Sequence, residues 1–349
     1  MPAQRIVVVG ASSGGIEALR TLAASLPSDF PAPLCVVVHT SPQSPGLLDS
    51  ILTRAGALPA VVPEDRARIR PGRIYVAPPD HHLVVEPGVL RLTKGPRENL
   101  FRPAVDPLFR SAAQVYGPGV IGVVLTGNLD DGTAGLWTIK QLGGVAIVQD
   151  PDEAMFPSMP RHAIEGVRVD HVVALHDLGP LLVQLLSTER EAAMQQDQHV
   201  EVEAAIASGR NAVEAGVQHI GEPSSFACPE CHGVLLRMKQ AGPTRFRCHT
   251  GHAYSAASLA AAVNDGIEDA LWSAVRALEE AALLMRHLAT HARVEDAPRR
   301  ANDFDAQADE AHRQSETVRD VVRRRDTLKP RPGTEPSGDV PPQVRHSAG

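Results

Sequence analysis

The sequence predicts an α/β protein with a doubly wound, mainly parallel sheet, followed by a small cysteine-bearing unit and C-terminal helices. Three observations carry that reading. Short β-branched runs alternate with helical patterns up to about Leu186, several of those runs are continuously apolar, and a cysteine and histidine cluster then precedes a heptad-spaced segment.

In order, the strand runs are Ile6 to Val9, Leu34 to Val38, Ile74 to Ala77, Val120 to Leu125, Val145 to Val148 and Val172 to Leu175. The run Val120-Ile121-Gly122-Val123-Val124-Leu125 has no polar alternation, as expected of a strand covered on both faces. Strands of this kind, separated by helices, make a Rossmann-like open sheet, so residues 1–187 are expected as one domain.

Between Ser187 and Phe226 seven acidic residues stand against two basic ones, and residues 188–225 are expected as a partly helical linker. A compact unit is expected at 226–260. Over 261–327, Ile267, Leu271, Ala274, Leu278, Ala281, Met285 and Leu288 are spaced alternately four and three, a heptad seam. A weaker series, Phe304, Ala308, Ala311, Ser315, Val318 and Val322, either packs back as a helical hairpin or joins a homo-oligomeric coiled coil. The tail 328–349, with Pro330, Pro332, Pro336, Pro341 and Pro342, is expected to be disordered.

At 349 residues the chain exceeds what one core usually organises. Its net charge of -7 offers no broad basic surface, which argues against nonspecific nucleic-acid binding. The first residues are too short and weakly flanked for a signal peptide, and no long apolar run follows, so a cytoplasmic location without membrane insertion is expected. Four cysteines do not make a disulfide framework at this length, and Cys35, inside a strand run, is expected to be inert.

After the first strand comes Gly10-Ala11-Ser12-Ser13-Gly14-Gly15, a turn able to cradle a phosphate at a helix N-terminus. A dinucleotide site would place Asp or Glu near the end of the second strand, where this chain has His39. A short-chain dehydrogenase would need a tyrosine with a lysine four residues later, and Tyr75, Tyr116 and Tyr254 are followed at that spacing by Pro79, Val120 and Ser258. The same turn satisfies G-x-S-x-G, which exposes a serine hydroxyl beside backbone N–H groups, although Ser12 also suits a helix cap.

Parallel sheets build sites beyond the carboxyl ends of their strands. Ser12 follows the first strand, His39 ends the second, and Asp130 and Asp131 lie in the loop after the Val120 strand. A serine needs a base to take its proton, and an imidazole oriented by a carboxylate supplies one. Spacing alone leaves Asp130 and Asp131 as alternatives. An ordinary α/β-hydrolase is disfavoured, because its triad runs Ser, Asp, His and its serine follows several strands.

Farther on, Cys228 and Cys231 form a CxxC knuckle, and Cys248 follows after a 16-residue spacer. With a histidine from His232, His249 or His252, these thiols would complete a tetrahedral structural zinc site.

The pieces Gly10 to Gly15, Val37-Val38-His39, Arg102-Pro103-Ala104-Val105-Asp106, Leu125-Thr126-Gly127, Asp131-Gly132 and Pro157-Ser158-Met159-Pro160 resemble the catalytic domain of CheB-type chemotaxis protein-glutamate methylesterases over about Arg5 to Leu186. That resemblance implies Ser12 as nucleophile, His39 as general base and acid, and Asp131 rather than Asp130 as the orienting carboxylate. Ser13, Gly14, Arg102 and Asn128 become candidates for the oxyanion hole or substrate binding. Three places in or beside these pieces depart from the family pattern: Ser13 replaces a frequent Thr, Asn128-Leu129 replaces Met-Gly, and Phe101 stands where the family often has His.

The resemblance further implies removal of methyl esters from glutamate side chains of methyl-accepting chemoreceptors, with glutamine deamidation as a second activity and no cofactor for catalysis. Gly251-His252 resembles the ribbon attached to some CheB-type proteins, which favours His252 as the fourth zinc ligand beside Cys228, Cys231 and Cys248. Because the chain opens directly on the catalytic strand, no phosphoacceptor receiver is expected. The alternative is a catalytically silent scaffold that binds partners through the ribbon and the heptad helix. Zinc is expected to supply most of the folding free energy of so small a ribbon, so that chelation unfolds it but spares the serine, histidine and aspartate.

Overall fold

The computed structural model describes residues 5–188 and 197–325; the C-terminal tail from 328 and residues 189–196 of the acidic stretch lie outside them. The chain runs through β1 (Ile6–Ala11), α1 (Gly15–Ser25), β2 (Leu34–Val38), α2 (Leu48–Ala55), β3 (Ala60–Val61), β4 (Ala67–Arg68), β5 (Ile74–Val76), β6 (His82–Glu86) and β7 (Val89–Thr93). There follow α3 (Val105–Tyr116), β8 (Val120–Val124), α4 (Thr133–Gln141), β9 (Val145–Gln149), α5 (Ser158–Gly166), β10 (His171–Val173) and α6 (Leu175–Ser187). Beyond them lie α7 (Gln198–Ala207), β11 (Gly221–Ala227), β12 (Val234–Met238), β13 (Arg245–Cys248), β14 (Ala253–Ser255), α8 (Ala256–Val294) and α9 (Pro298–Arg325).

Seven strands form the main sheet in the order β10-β9-β8-β1-β2-β5-β3, and every pairing is parallel. Successive β1 residues serve opposite faces. Ile6 and Val8 enter a core with Leu108, Phe109, Leu136 and Met159 of α3, α4 and α5, while Val7 and Val9 enter another with Leu19, Leu52 and Leu178 of α1, α2 and α6. This is the doubly wound sheet expected from the apolar runs. The chain first winds outward from β1 through β2 and later returns to β8 on the other side, so a crevice opens at the carboxyl ends of β1, β2 and β8.

Two features escaped the sequence reading. One is the antiparallel sheet β4-β7-β6, whose strands are short and only weakly alternating. The other lies in the acidic stretch, where α7 buries Glu203 completely. Glu203 sits within 2.9 Å of Arg245 and Arg247, and Glu98 joins Arg247 at 2.9 Å and also pairs with Arg110 of α3. Opposing guanidinium groups outweigh the burial that would otherwise lift both carboxyls, and hold each below its ordinary range.

Antiparallel strands β11-β12-β13-β14 form a second small sheet. The first compact unit extends to Val263 and takes in α7 and this ribbon together with the parallel sheet. The unit from Asn264 onward is a helical hairpin, with Arg293 paired to Asp305 and Arg319 to Glu279. Its buried positions among the described residues are Val275, Ala282, Ala289 and Ala292 on one helix and Ala301, Ala308 and Ser315 on the other, with Val275, Ala282 and Ala289 seven residues apart and the second series likewise. The second seam therefore runs as expected. In the first, Leu271, Leu278 and Met285 are partly buried as expected, while Val275, Ala282 and Ala289 take the places expected of Ala274, Ala281 and Leu288.

Candidate active site

Ser12 lies just past β1 in the turn to α1, and its backbone N–H donates to Thr126 O at 3.0 Å. Gly14, not Ser12, occupies the N-cap of α1, with φ of 74° and no side-chain cap. Left-handed geometry there suits glycine, and an added Cβ would also meet Met155 and Thr126. Freed from capping, the Ser12 hydroxyl approaches His39 Nδ1 at 3.0 Å.

His39 continues from β2, and its Nε2 lies 2.7 Å from Asp131 Oδ2. An ionised carboxylate only accepts, so Nε2 carries the proton and Nδ1 is left to accept from the serine hydroxyl. Phe101 stacks flat on the imidazole, with centroids 3.8 Å apart and planes 5° from parallel. With no titratable group, Phe101 contributes shape and no proton.

Asp131, in the loop after β8, is held from all sides. Oδ2 also accepts from Val105 N–H at 2.7 Å, and Oδ1 accepts from Asn99 Nδ2 at 2.9 Å, Gly132 N–H at 2.9 Å and Asp106 N–H at 3.2 Å. Burial alone would lift this carboxyl, but the bonds from His39, Val105 and Asn99 keep it below the usual range. Asp106 behaves oppositely: burial and the neighbouring Asp131 charge push it up to about 7, against the pull of Arg110. Asp130 points elsewhere, accepting from Ser255 Oγ at 2.6 Å.

A cavity of about 390 Å³ opens beside Ser12 and His39, lined also by Ser13, Arg97, Leu100 and Phe101. Among the described residues, the N–H groups of Ser13 and Gly14 donate to no backbone carbonyl, and both precede the first turn of α1. Asn128 donates from Nδ2 to Ser13 Oγ at 3.0 Å. Arg102 also lines the cavity, but its guanidinium is engaged by Asp80 at 2.6 Å and by Gly95 O at 2.8 Å. Arg97 was not singled out in the sequence, yet it is the exposed cation on this cavity wall without an ion-pair partner among the described residues.

In the ribbon, ligand atoms of Cys228, Cys231, Cys248 and His252 all lie within 4.8 Å of one another. Cys231 and Cys248 sulfurs are 3.6 Å apart, and His252 Nδ1 is 3.7 Å from Cys228 Sγ and 3.6 Å from Cys248 Sγ. A tetrahedral ion with legs of about 2.3 Å to sulfur has ligand edges of about 3.7 Å, so the four donors fit a structural metal. Burial and the nearby Cys228 push the Cys248 thiol up to about 12, whereas for Cys231 burial is outweighed by Gly233 N–H and neighbouring side chains, which hold it near 6. His252 Nε2 faces Glu230 at 3.4 Å, a carboxylate that orients the ring. His249 packs over Gly233 instead, and His232 sits in a left-handed turn; neither joins the cluster. All four cysteines are free, and burial drives the Cys35 thiol far above its ordinary range.

A parallel α/β sheet that brings a hydroxyl, an imidazole and a buried carboxylate together at its switch point has the form of a serine hydrolase. The CheB methylesterase family model matches residues 7–182, and the chain belongs to that family. A relative from Leptospira interrogans is 40% identical over 180 residues, which are 51% of this chain and 93% of the relative. The protein-glutamate methylesterase/protein-glutamine glutaminase of Maricaulis maris is 35% identical over 183 residues, 51% of this chain but only 46% of that protein. Among solved structures, the Thermotoga maritima CheB methylesterase catalytic domain is similar with a TM-score of 0.50 and 35% identity, covering 52% of this chain and 98% of that one.

Proposed function

We propose that the chain hydrolyses γ-glutamyl methyl esters on methyl-accepting chemoreceptors, with Ser12 as nucleophile, His39 as proton carrier and Asp131 as orienting carboxylate. The observation that carries this reading is the unbroken Ser12–His39–Asp131 hydrogen-bond chain at the edge of a cavity. Ser12 Oγ attacks the ester carbonyl while its proton passes to His39 Nδ1. Negative charge on the carbonyl oxygen then falls to the Ser13 and Gly14 N–H groups, where the α1 N-terminus adds its dipole. His39 returns the proton to the departing methoxide, methanol leaves, and water attacks the acyl-serine to release the glutamate carboxylate. With a glutamine amide the same steps expel ammonia, which accounts for the paired activities in the relatives' names.

Arg97 supplies positive charge where an acidic receptor segment would enter. Zinc is the metal we assign to Cys228, Cys231, Cys248 and His252; three thiolates and an imidazole leave it no open position, so its part is to hold the ribbon. Free cysteines throughout fit a cytoplasmic workplace, and no described helix is long and apolar enough to cross a membrane.

Methanol release from methylated receptor tests the reading. Replacing Ser12→Ala is expected to lower turnover by roughly 10⁴ to 10⁶. Unchanged release by a folded variant would sink it and favour a silent scaffold.

A further inference from the structure

Asn99 stands between the two regions that the sequence separates. Its amide nitrogen donates to Asp131 Oδ1 at 2.9 Å and to Asp106 Oδ2 at 3.0 Å, using both hydrogens on two carboxylates. Its amide oxygen accepts from Ser255 N–H at 2.8 Å and from Ser258 Oγ at 3.0 Å. The reverse orientation would aim oxygen at two acids, so this is the arrangement that chemistry permits.

Ser255 closes β14 of the ribbon, and Ser258 lies in the first turn of α8. Backbone pairing ties the same loop to the ribbon: Asn99 N–H donates to Ala253 O at 2.8 Å and Ala253 N–H to Arg97 O at 3.2 Å. Asn99 and Leu100 both have positive φ, 50° and 75°, a strained pair that a free loop would relax. Ribbon contacts therefore hold the loop that carries Phe101 onto His39 and the amide that braces Asp131.

We propose that Asn99 is a positioning residue for the esterase reaction, and that the ribbon acts on the active site through it, as the second half of the socket for Asp131. This rests on the assignment of Asp131 made above. The consequence is that ester hydrolysis depends on the state of the ribbon, and whatever loosens β14 or the start of α8 lowers turnover without touching a reacting atom.

A double-mutant cycle in the full-length chain tests the coupling. Asn99→Ala should lower kcat by about 10- to 100-fold with KM changed by no more than about twofold, as loss of a bracing group predicts. Ser258→Ala should cost about 2- to 10-fold, the size of one neutral hydrogen bond, and should cost nothing further once Asn99 is gone. In parallel, the low-field NMR resonance of the His39 Nε2 proton, assigned by its loss in His39→Gln, should shift or broaden in both single variants.

A Ser258→Ala penalty of equal size in the Asn99→Ala background would overturn the coupling, as would an unmoved proton resonance in both folded variants. Should Asn99→Ala not fold, Ser258→Ala alone, read by kcat and by the resonance, decides. Failure of the hydrolase reading shows itself separately, as methanol release that survives Ser12→Ala, and leaves the resonance to report on the brace.

Discussion

His39 and His252 each turn Nδ1 toward a nucleophilic heteroatom and Nε2 toward a carboxylate, yet the surroundings of the two rings differ. His39 and Asp131 are 2.7 Å apart with side chains 3% and 2% exposed, and the carboxylate accepts from four further donors. His252 and Glu230 are 3.4 Å apart with 16% and 26% exposure. A tight, dry, fully bonded carboxylate can stabilise an imidazolium that forms and decays during turnover. A looser, wetter one needs only to point a neutral ring at a metal. On the proposed assignments, the same pair of residue types serves proton transfer in one place and scaffolding in the other, and the number of donors around the acid makes the difference.

The strongest way to break that comparison is Asp131→Asn. Catalysis should fall by about 10⁴, the scale of losing the correct tautomer, measured as methanol release at saturating substrate. A second readout concerns Asp106, whose carboxyl is raised to about 7. A raised acid stabilises the fold fully below its unfolded pKa of about 4, and that contribution is lost as pH climbs through about 7. Since Asp131 charge is part of the cause, the decline in melting temperature from pH 5 to pH 8 should shrink in Asp131→Asn. A steeper decline would show that the two acids are not coupled in this way.

Metal removal sharpens the other half. If the proposed zinc is bound, chelation should make the segment between Cys228 and His252 sensitive to protease, because so small a ribbon would draw much of its folding free energy from the ion. The sequence leads one to expect that unfolding the ribbon spares the serine, histidine and aspartate. The proposed brace of Ser255 and Ser258 on Asn99 predicts instead that ester turnover drops together with ribbon protection. Protease sensitivity with full turnover would restore independence.

Phe101→Leu is the smallest change. It keeps an apolar side chain against His39 but removes the flat stack, and a loss of about 3- to 10-fold in kcat is expected from a less well held ring. No loss would mean that Asp131 alone holds the imidazole.

Much of this was legible in the residues. Continuous apolar runs told of strands buried on both faces, because period-2 alternation is absent only when neither face meets water, and the resulting parallel sheet puts Ser12, His39 and Asp131 at three neighbouring strand ends. Spacing in the CxxC knuckle was equally local, since two thiols three positions apart reach one ion. The heptad series of α9 told its buried face correctly, while in α8 every second position was off by one, because buried alanines such as Ala282 and Ala289 carry little weight in a hydrophobic pattern.

Between adjacent carboxylates, the family resemblance favoured Asp131, but the physical reason for the choice lies in the tertiary structure. Asp130 and Asp131 are one residue apart and chemically identical, and spacing could not separate them; the fold turns one toward His39 and the other toward Ser255. Glu203 looked like part of a solvated acidic linker until three arginines from α3 and β13 surrounded it. Local sequence determines what a strand or knuckle can do through nearest-neighbour geometry, but which polar groups meet across more than a hundred residues depends on where buried charges and amides find partners. Asn99 and Ser258, 159 positions apart and 3.0 Å from each other, are joined for that reason alone.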